Sequence, residues 1–126
     1  MAPSLEKLQG LRILVAEDET LVLMMIEEML REFRCEIVGS VSTVAAALVA
    51  IEESGLDGAL LDMNLHGERI LPAIKKLLAQ GVPFLLVTGY AGGTRDEPEL
   101  KDAPRLTKPF SLQSLGAAMT EAFAPR

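Results

Sequence analysis

The sequence contains no tryptophan, and it has one tyrosine, one cysteine and one histidine. Because Cys35 is the single cysteine, an internal disulfide is excluded, and no metal-ligand spacing of cysteine and histidine surrounds it. Proteins of a reducing compartment commonly use cysteine in this way. We therefore interpret Cys35 as a core thiol and expect a cytoplasmic protein.

The sequence also lacks a long hydrophobic run. No stretch approaches the roughly 20 apolar residues that a membrane-spanning helix needs. Residues 1–10 lack the long apolar segment of a signal peptide. We therefore expect neither a membrane partner nor export from the cytoplasm.

Positive charge is scarce in this chain. There are 12 Lys and Arg residues against 18 Asp and Glu residues, which gives a net charge of −6. No basic surface is then available to neutralise a phosphate backbone, so the chain is not expected to bind nucleic acid by itself. An acidic protein of this kind suits a site for a cation.

What the sequence does contain is a regular alternation of strand-like and helix-like segments, repeated five times over 126 residues. Strands that read as continuous apolar runs are typical of a parallel sheet buried under helices on both faces. We predict an α/β fold, (βα)5, with a doubly wound five-stranded parallel sheet and the flavodoxin-like strand order 2-1-3-4-5. We expect a single domain over residues 1–126, with a folded core of about 11–124 and an N-terminal extension at 1–10.

The spacing of apolar residues predicts where the main elements lie. Strands are expected at about Arg12 to Ala16, Glu36 to Gly39, Ala59 to Leu61, Val82 to Val87 and Leu106 to Thr107. The other expectations are a first helix with Met25 on its core face, a polar loop at Met63 to Gly67, a short helix at Arg95 to Asp102 and a last helix capped by Ser111.

Four of the apolar runs end in polar residues of different chemical types. Glu17 and Asp18 follow the first run, Asp62 the second, Thr88 the third and Lys108 the last. In an open parallel α/β sheet, the carboxyl ends of the strands converge on one crevice. We therefore expect these side chains to meet in a single pocket, although they are spread along most of the chain.

Three carboxylates in one pocket repel each other. Either one of them takes up a proton, or a hard divalent cation with oxygen ligands is bound. Mg²⁺ is the simplest candidate, because it prefers oxygen ligands and keeps several waters. One or two carboxylates, the backbone carbonyl of Asn64 and a phosphoryl oxygen would make a suitable set of ligands.

The same pocket suits covalent chemistry on phosphorus. An ionised Asp62 could attack phosphorus as a nucleophile, and the product would be an acyl phosphate. The charge on the phosphoryl oxygens must be met by a cation, which is a role for Lys108. Thr88 would hydrogen-bond one phosphoryl oxygen, and the small Gly89 would leave the approach to Asp62 open.

Four short motifs carry a resemblance to a known family. They are Val15-Ala16-Glu17-Asp18-Glu19, Leu61-Asp62-Met63-Asn64, Thr88-Gly89 and Lys108-Pro109-Phe110. With all four in this order, the chain resembles a bacterial response-regulator receiver domain over nearly its whole length. The resemblance implies phosphoryl transfer from a phosphohistidine to Asp62, with Glu17 and Asp18 joining Asp62 on Mg²⁺.

The resemblance also implies a place in two-component signalling or a phosphorelay. The phosphodonor would be a sensor histidine kinase or a histidine phosphotransfer protein, and Thr88 and Lys108 would be switch residues. The protein would catalyse its own phosphorylation and dephosphorylation without being a conventional turnover enzyme. Since the chain ends just after its last helix, we expect no output domain and a separate downstream protein target. Leu23 and Met24, on the more polar side of the first helix, are interpreted as a docking face for the kinase.

Two departures from the family pattern matter. Arg105 stands where receivers usually carry an aromatic switch residue, three positions before the lysine. Pro83 to Tyr90 matches much of the PFxFATGY motif of a subgroup of stand-alone receivers, so Tyr90 is a candidate for the missing aromatic switch. His66 takes the place of a common proline after Asn64, which predicts a looser loop beside the metal, and we interpret His66 itself as a solvated loop residue.

Other classes of protein share parts of this pattern. A haloacid-dehalogenase-like phosphatase also uses an aspartate nucleophile, but it needs a second aspartate two residues later, where this chain has Asn64. A flavodoxin-like cofactor binder needs a phosphate-binding loop after the first strand, where the acidic residues 17–19 would repel an anion. The alternative left open is a receiver-like interaction module that works without phosphorylation.

Overall fold

The computed structural model describes residues 5–53, 55–89, 100 and 102–123. The strands in these ranges are β1 (Arg12–Ala16), β2 (Glu36–Val41), β3 (Gly58–Asp62), β4 (Asn64–Leu65), β5 (Glu68–Arg69), β6 (Phe84–Thr88) and β7 (Arg105–Thr107). The helices are α1 (Thr20–Glu32), α2 (Val44–Glu53), α3 (Leu71–Gln80) and α4 (Leu112–Phe123), with a short 3₁₀ helix at Leu5–Leu8. Within the described ranges, no helix has the length and apolar character needed to cross a membrane.

The main sheet has the strand order β2-β1-β3-β6-β7, and all its neighbouring strands are parallel. Strands β4 and β5 form a separate two-stranded sheet, so β6 and β7 are the fourth and fifth strands of the main sheet. The predicted order 2-1-3-4-5 is therefore confirmed. The register places Asp62 beside Val87 and Thr88 beside Thr107, so the carboxyl ends of these strands lie at one edge.

Both faces of the sheet are buried. Ala59 and Leu61 of β3 lie in a hydrophobic cluster with residues of α2 and α3, whereas Leu60 lies in a second cluster with residues of α1 and α4. Successive side chains of a strand point to opposite faces. The continuous apolar runs in the sequence are therefore explained by helices that cover the sheet on both sides.

A polar network closes the amino-terminal edge of the sheet. The Arg12 guanidinium donates hydrogen bonds to Glu36 Oε2 and to the Gly55 carbonyl, each at 2.7 Å. The Arg12 backbone N–H donates to Asp57 Oδ2 at 2.8 Å, and the Asp57 N–H returns a hydrogen bond to the Arg12 carbonyl at 2.8 Å. These contacts join the starts of β1, β2 and β3.

Gly58, at the start of β3, packs directly against the end of α4. A Cβ atom at this position would lie 2.9 Å from two ring carbons of Phe123. We therefore expect Gly58→Ala to destabilise the fold by about 1 to 3 kcal/mol, because the buried ring must shift. Thermal unfolding should show a Tm lower by roughly 5 °C or more.

Gly39 of β2 offers a matched control for this prediction. A Cβ at Gly39 would lie 3.5 Å from a methyl group of Leu14, which is an ordinary van der Waals distance. The Gly39→Ala variant should therefore unfold close to the wild-type Tm. Equal Tm values for the two variants would show that the contact between Gly58 and Phe123 does not limit stability.

Helix α1 carries more exposed apolar surface than its sequence pattern predicts. Ile26 and Leu30 are fully buried, but Met25, which was expected on the core face, is 48% exposed, so that prediction was wrong. Met25 lines a surface groove with Pro109 and Phe110 instead of entering the core. Leu21 and Met24 are exposed as well, at 77% and 57%.

The segment after β3 is more ordered than the polar loop predicted for it. Asn64 pairs with Arg69 and Leu65 pairs with Glu68, which makes a hairpin of β4 and β5. The turn residues His66 and Gly67 have positive φ angles of 50° and 85°, as a tight two-residue hairpin turn requires. Leu65, in the middle of the polar segment, is buried and anchors the hairpin to the core.

Two helix ends have clear local signals, and the cap predicted at Ser111 agrees with the structure. Gly81 ends α3 in the left-handed conformation, with a φ angle of 71°. Ser111 accepts a hydrogen bond on Oγ from the Ser114 N–H at 3.0 Å and so caps α4. Apart from Leu100 and Asp102, the short helix predicted at Arg95 to Asp102 lies outside the described residues.

Cys35 is half-buried beside the N-terminal 3₁₀ helix. Its Sγ donates a hydrogen bond to the Leu8 carbonyl at 3.3 Å, and Leu8, a residue of the predicted N-terminal extension, is fully buried in the core. Burial raises the pKa of the Cys35 thiol to about 11. The thiol therefore stays protonated at neutral pH and packs against the core.

Candidate functional site

The carboxyl-terminal edge of the sheet brings together the polar residues that end its strands. Carboxylate oxygens of Glu17, Asp18 and Asp62 lie within 4.8 Å of one another. Lys108, which follows β7, reaches the same cluster with its Nζ 3.3 Å from Asp62 Oδ2. Thr88 ends β6 next to β7. The residues predicted to converge are thus found at one edge of the sheet.

Glu17 is the most buried acid of the cluster, with 1% of its surface exposed. Its Oε2 accepts a hydrogen bond from the Glu19 backbone N–H at 3.1 Å. Its Oε1 accepts no well-directed hydrogen bond from the described residues, although Lys108 Nζ lies 3.1 Å away. This buried carboxylate therefore has an acceptor oxygen that is open to a further ligand.

Burial raises the pKa of Glu17 to about 7. The neighbouring Asp62 contributes to this rise in pKa, because a second negative charge disfavours ionisation, while the Glu19 N–H and the Lys108 ammonium act in the opposite direction. Near neutral pH, the Glu17 carboxyl group can therefore either keep its proton or lose it and bind a cation.

Asp18 is tied to the β4–β5 hairpin. Its Oδ2 accepts a hydrogen bond from the His66 backbone N–H at 2.9 Å. This bond joins the hairpin turn to the end of β1, and the looser loop expected at His66 stays a prediction. The His66 side chain is exposed, as we predicted for a solvated residue.

Asp62 ends β3 with its side chain largely buried. Its Oδ1 accepts a hydrogen bond from the Asn64 backbone N–H at 3.2 Å, and its Oδ2 accepts one from Lys108 Nζ at 3.3 Å. Both carboxylate oxygens are therefore oriented by neighbouring donors. This geometry holds Asp62 toward the acidic cluster and Lys108.

Lys108 contacts several acids at once. Among the described residues, its Nζ lies 3.1 Å from oxygens of Glu17 and of Glu19 and 3.3 Å from Asp62 Oδ2. Partial burial disfavours the charged amine, but the hydrogen bond to Glu19 and the charges of Asp62 and Glu17 outweigh it, so the Lys108 pKa is raised. Lys108 is therefore a permanent cation in this cleft.

The backbone links Lys108 to the end of β6. The Lys108 N–H donates a hydrogen bond to the Thr88 carbonyl at 2.7 Å, and the Lys108–Pro109 peptide is cis. Thr88 is 4% exposed, whereas a Cβ added at the next residue, Gly89, would meet none of the described atoms within 4 Å. No described residue therefore fills the space beside Gly89. Tyr90 lies outside the described residues.

Arg105 takes a role that its sequence position did not predict. Its Nη2 donates a hydrogen bond to the Leu100 carbonyl at 2.6 Å, and its Nε donates to the Ala103 carbonyl at 3.3 Å. Leu100 is buried in the core cluster that lies under α2 and α3. Arg105 therefore fastens the chain before β7 to the start of that strand.

Sequence reasoning missed two other contacts of the cleft. It did not place Glu19 on Lys108, and it did not place the His66 backbone on Asp18. The signal for the first was available, since Glu19 directly follows the two predicted metal ligands. The second depends on the hairpin, which the polar composition of residues 63–67 concealed.

A surface groove of about 340 Å³ adjoins the cleft beside Lys108. Its walls are mainly apolar, and its lining residues are Glu19, Val22, Met25, Lys108, Pro109 and Phe110. Leu21 and Met24 are further exposed apolar residues of α1, the helix that contributes Val22 and Met25 to the groove. This part of the molecule combines an apolar surface with direct access to Lys108.

The acidic cluster fits a hard divalent cation. Its donors are carboxylate oxygens, and the open Oε1 of the buried Glu17 is an acceptor without a well-directed donor. Hard cations such as Mg²⁺ take oxygen ligands and relieve the repulsion between close carboxylates. Glu17, Asp18 and Asp62 therefore form a suitable ligand set.

Comparison with known proteins identifies relatives of this chain. Residues 13–120 match the family model of the response regulator receiver domain. The transcriptional regulatory protein PdtaR of Mycobacterium tuberculosis is 32% identical over 109 residues, which cover 82% of this chain and 52% of the relative. The chain spans about half the length of the curated relatives it matches.

Two solved structures are also similar to this chain. The solution structure of SdrG from Sphingomonas melonis Fr1 is similar with a TM-score of 0.76 and 38% identity, over 90% of this chain and 95% of SdrG. The receiver domain of the sensor histidine kinase PA1611 from Pseudomonas aeruginosa PAO1 has a TM-score of 0.80 and 24% identity, over 90% of this chain and 98% of that domain. That structure contains a magnesium ion coordinated in its active-site cleft. At this identity, the second likeness shows the fold.

Proposed function

The chain belongs to the response regulator receiver domain family, and from this premise we propose that it accepts a phosphoryl group on Asp62 in the presence of Mg²⁺. The observation that supports the proposal best is the meeting of Asp62 with the acids Glu17 and Asp18 and with Lys108 in one cleft. A nucleophile, a cation site and a fixed positive charge are the parts that phosphoryl transfer requires.

The proposed reaction begins with an ionised oxygen of Asp62. This oxygen forms a bond to the phosphorus of a phosphohistidine while the bond from phosphorus to the imidazole nitrogen breaks. The electron pair of the broken bond stays on the imidazole, and Asp62 becomes an acyl phosphate. In the proposed hydrolysis, a water oxygen bonds to the phosphorus, the bond from phosphorus to the Asp62 oxygen breaks, and the carboxylate and inorganic phosphate are released. The domain thus acts on itself and is not a conventional turnover enzyme.

Lys108 supplies positive charge to the transferred group. Its Nζ already lies 3.3 Å from Asp62 Oδ2, so an oxygen of a phosphoryl group on Asp62 falls within its reach. Thr88, at the adjacent strand end, is proposed to hydrogen-bond a second phosphoryl oxygen. Because the Lys108 N–H is bonded to the Thr88 carbonyl, a movement of one residue is transmitted to the other.

The proposed ligands of Mg²⁺ are Glu17, Asp18, Asp62 and the backbone carbonyl of Asn64. When bound, the ion supplies the positive charge that balances the carboxylates and the incoming phosphoryl group. The chain itself contributes the buried position of Glu17 and the hydrogen bonds that orient Asp18 and Asp62. Thr88, Tyr90 and Arg105 remain the proposed switch residues.

The proposed phosphodonor is a sensor histidine kinase or a histidine phosphotransfer protein in the cytoplasm. Of the two docking residues predicted on α1, Met24 is exposed, whereas Leu23 packs against the core. Met24 and the exposed Leu21 and Met25 are proposed as the apolar docking surface for this donor.

A downstream protein is the proposed reader of the phosphorylated state. No nucleic-acid contact is proposed. Residues 1–126 are proposed to form a single receiver domain, whose core, expected at about 11–124, also includes the buried Leu8.

Intact mass spectrometry after incubation with acetyl phosphate tests the proposal without knowledge of the kinase. The wild-type protein should gain the mass of one phosphoryl group with Mg²⁺ and none when EDTA removes the ion. A gain that does not depend on Mg²⁺ would contradict the proposed cation site. If neither acetyl phosphate nor a phosphorylated histidine donor produces a gain, the result would contradict the proposal and favour an interaction module that works without phosphorylation.

A further inference from the structure

Glu19 is the N-cap residue directly before α1, but its side chain does not cap the helix. Its backbone is extended, with φ −88° and ψ 111°, and its side chain makes no capping hydrogen bond. Ser, Thr, Asp or Asn at this position would accept a hydrogen bond from the first turn. Glu19 instead accepts a hydrogen bond on Oε1 from Lys108 Nζ at 3.1 Å. Its side chain is thus committed to the cleft.

The Lys108 ammonium group has three hydrogens to donate. Among the described residues, its carboxylate neighbours are Glu17 and Glu19, each at 3.1 Å, and Asp62 at 3.3 Å. Its directed hydrogen bonds go to Glu19 Oε1 at 3.1 Å and to Glu17 Oε2 and Asp62 Oδ2, each at 3.3 Å. Three carboxylates thus match the three hydrogens, so an incoming phosphoryl oxygen has to displace one of them.

We propose that Glu19 is a positioning residue that restrains Lys108 and thereby slows the transfer of a phosphoryl group to Asp62. The inference rests on the proposed function, because it concerns the rate of that reaction. For a phosphoryl oxygen to receive a hydrogen bond from Nζ, Lys108 must loosen its hold on one carboxylate. Releasing that hold is part of the barrier to transfer.

Glu19 is the partner that Lys108 can release at the lowest cost. Glu17 is 1% exposed, so a Glu17 carboxylate that lost the amine would stay buried with little access to water. The Glu19 side chain is 63% exposed, and water can replace the amine there. A neutral amide at position 19 would hold Lys108 more weakly than the carboxylate does.

The size of the effect follows from this exposure. Exposed ion pairs contribute little to stability, so Glu19→Gln should fold as the wild-type protein does. Removing the pull of such a pair on Lys108 should speed phosphorylation by about twofold to fivefold. Glu28, an exposed acid on the same helix, provides a charge-matched control.

The test measures the rate of mass gain with acetyl phosphate at saturating Mg²⁺. Five proteins are compared, namely wild type, Glu19→Gln, Glu28→Gln, Lys108→Ala and the double variant Glu19→Gln with Lys108→Ala. We expect Glu19→Gln to be faster than wild type and Glu28→Gln to equal it. In the Lys108→Ala background, the Glu19→Gln change should have no effect, because Glu19 acts through Lys108.

Each other result overturns a definite statement. An unchanged or slower Glu19→Gln protein would overturn the restraint of Lys108. The same acceleration with and without Lys108 would show that Glu19 only repels the anionic donor, which also overturns the positioning role. A wild-type protein that gains no mass would overturn the proposed function itself, and this outcome is separate from a phosphorylated wild type with an unaffected Glu19→Gln variant.

Discussion

Asp62→Asn is expected to abolish the mass gain that acetyl phosphate and Mg²⁺ produce in the wild-type protein. The amide has nearly the shape of the carboxylate and still accepts a hydrogen bond from Lys108 Nζ, which lies 3.3 Å from Oδ2 in the wild type. It carries no negative charge and is a poor nucleophile, so no acyl phosphate forms. The variant should therefore keep the fold and lose the reaction, as seen by circular dichroism and intact mass.

Asp57 provides the control for this substitution. It is exposed at the amino-terminal side of β3, where it accepts a hydrogen bond from the Arg12 N–H at 2.8 Å, and it lies outside the acidic cluster. The Asp57→Asn protein should be phosphorylated at the wild-type rate. A full mass gain in Asp62→Asn would place the phosphoryl group on another residue and would overturn the assignment of Asp62.

Glu17→Gln is expected to have opposite effects on stability and on phosphorylation. Without Mg²⁺ at pH 8, the variant should be more stable than wild type, because it removes a buried carboxylate that is ionised beside Asp62. With Mg²⁺ and acetyl phosphate, it should be phosphorylated far more slowly, since a proposed ligand of the ion is lost. We therefore expect the ionised Glu17 to lower the stability of the metal-free protein, although the proposed phosphorylation requires it.

The pH dependence of this stability difference has a definite sign. The Glu17 pKa is raised from 4.5 to about 7 in the folded protein, so the folded state holds this proton more tightly than the unfolded state does. The stability that comes from the protonated form is fully present below pH 4.5 and is lost as the pH rises through about 7. Glutamine has no proton to lose and keeps its contribution at every pH.

Thermal unfolding of the two proteins without Mg²⁺ measures this effect. Their Tm values should be similar at pH 5, and at pH 8 Glu17→Gln should exceed wild type by on the order of 5 °C, for a difference of about 2 kcal/mol. Saturating Mg²⁺ at pH 8 should reduce or reverse the difference, because the ion stabilises the protein that binds it. A difference that stays constant from pH 5 to pH 8 would contradict the raised pKa.

The sequence predicted the main sheet well because its signal is local. Runs such as residues 84–87 are apolar on both faces, and Gly81 and Ser111 mark helix ends with known local conformations. The β4–β5 hairpin was missed because the polar residues around Leu65 predict a loop. The burial of Leu65 in the core, which holds the hairpin in place, is not visible in that composition. The burial of Met25 was predicted wrongly. Helical periodicity indicates which residues share a face of α1, but not whether a later segment of the chain covers that face.

The sequence predicted which residues form the candidate site, but not which of them contact each other. Strand ends in a parallel sheet must converge, so Asp62 and Lys108 were placed together from the pattern alone. Which carboxylate Lys108 contacts depends on distances of about 3 Å between side chains that are far apart in the chain. Arg105 shows the same limit, because its backbone partners Leu100 and Ala103 are fixed by the tertiary fold.

The sheet has two rims with separate tasks. At the rim where the strands begin, Arg12 and Gly58 make contacts that join strands and seat α4, whereas the residues of the proposed chemistry lie at the opposite rim. Substitutions at one edge of the sheet can therefore accumulate without changing the contacts at the other edge. Related proteins could change the proposed phosphodonor and downstream reader through substitutions at the carboxyl-terminal edge. The contacts at the amino-terminal edge would then keep the thermal stability of the fold. The same separation would let an engineer transplant the signalling rim onto a sturdier scaffold.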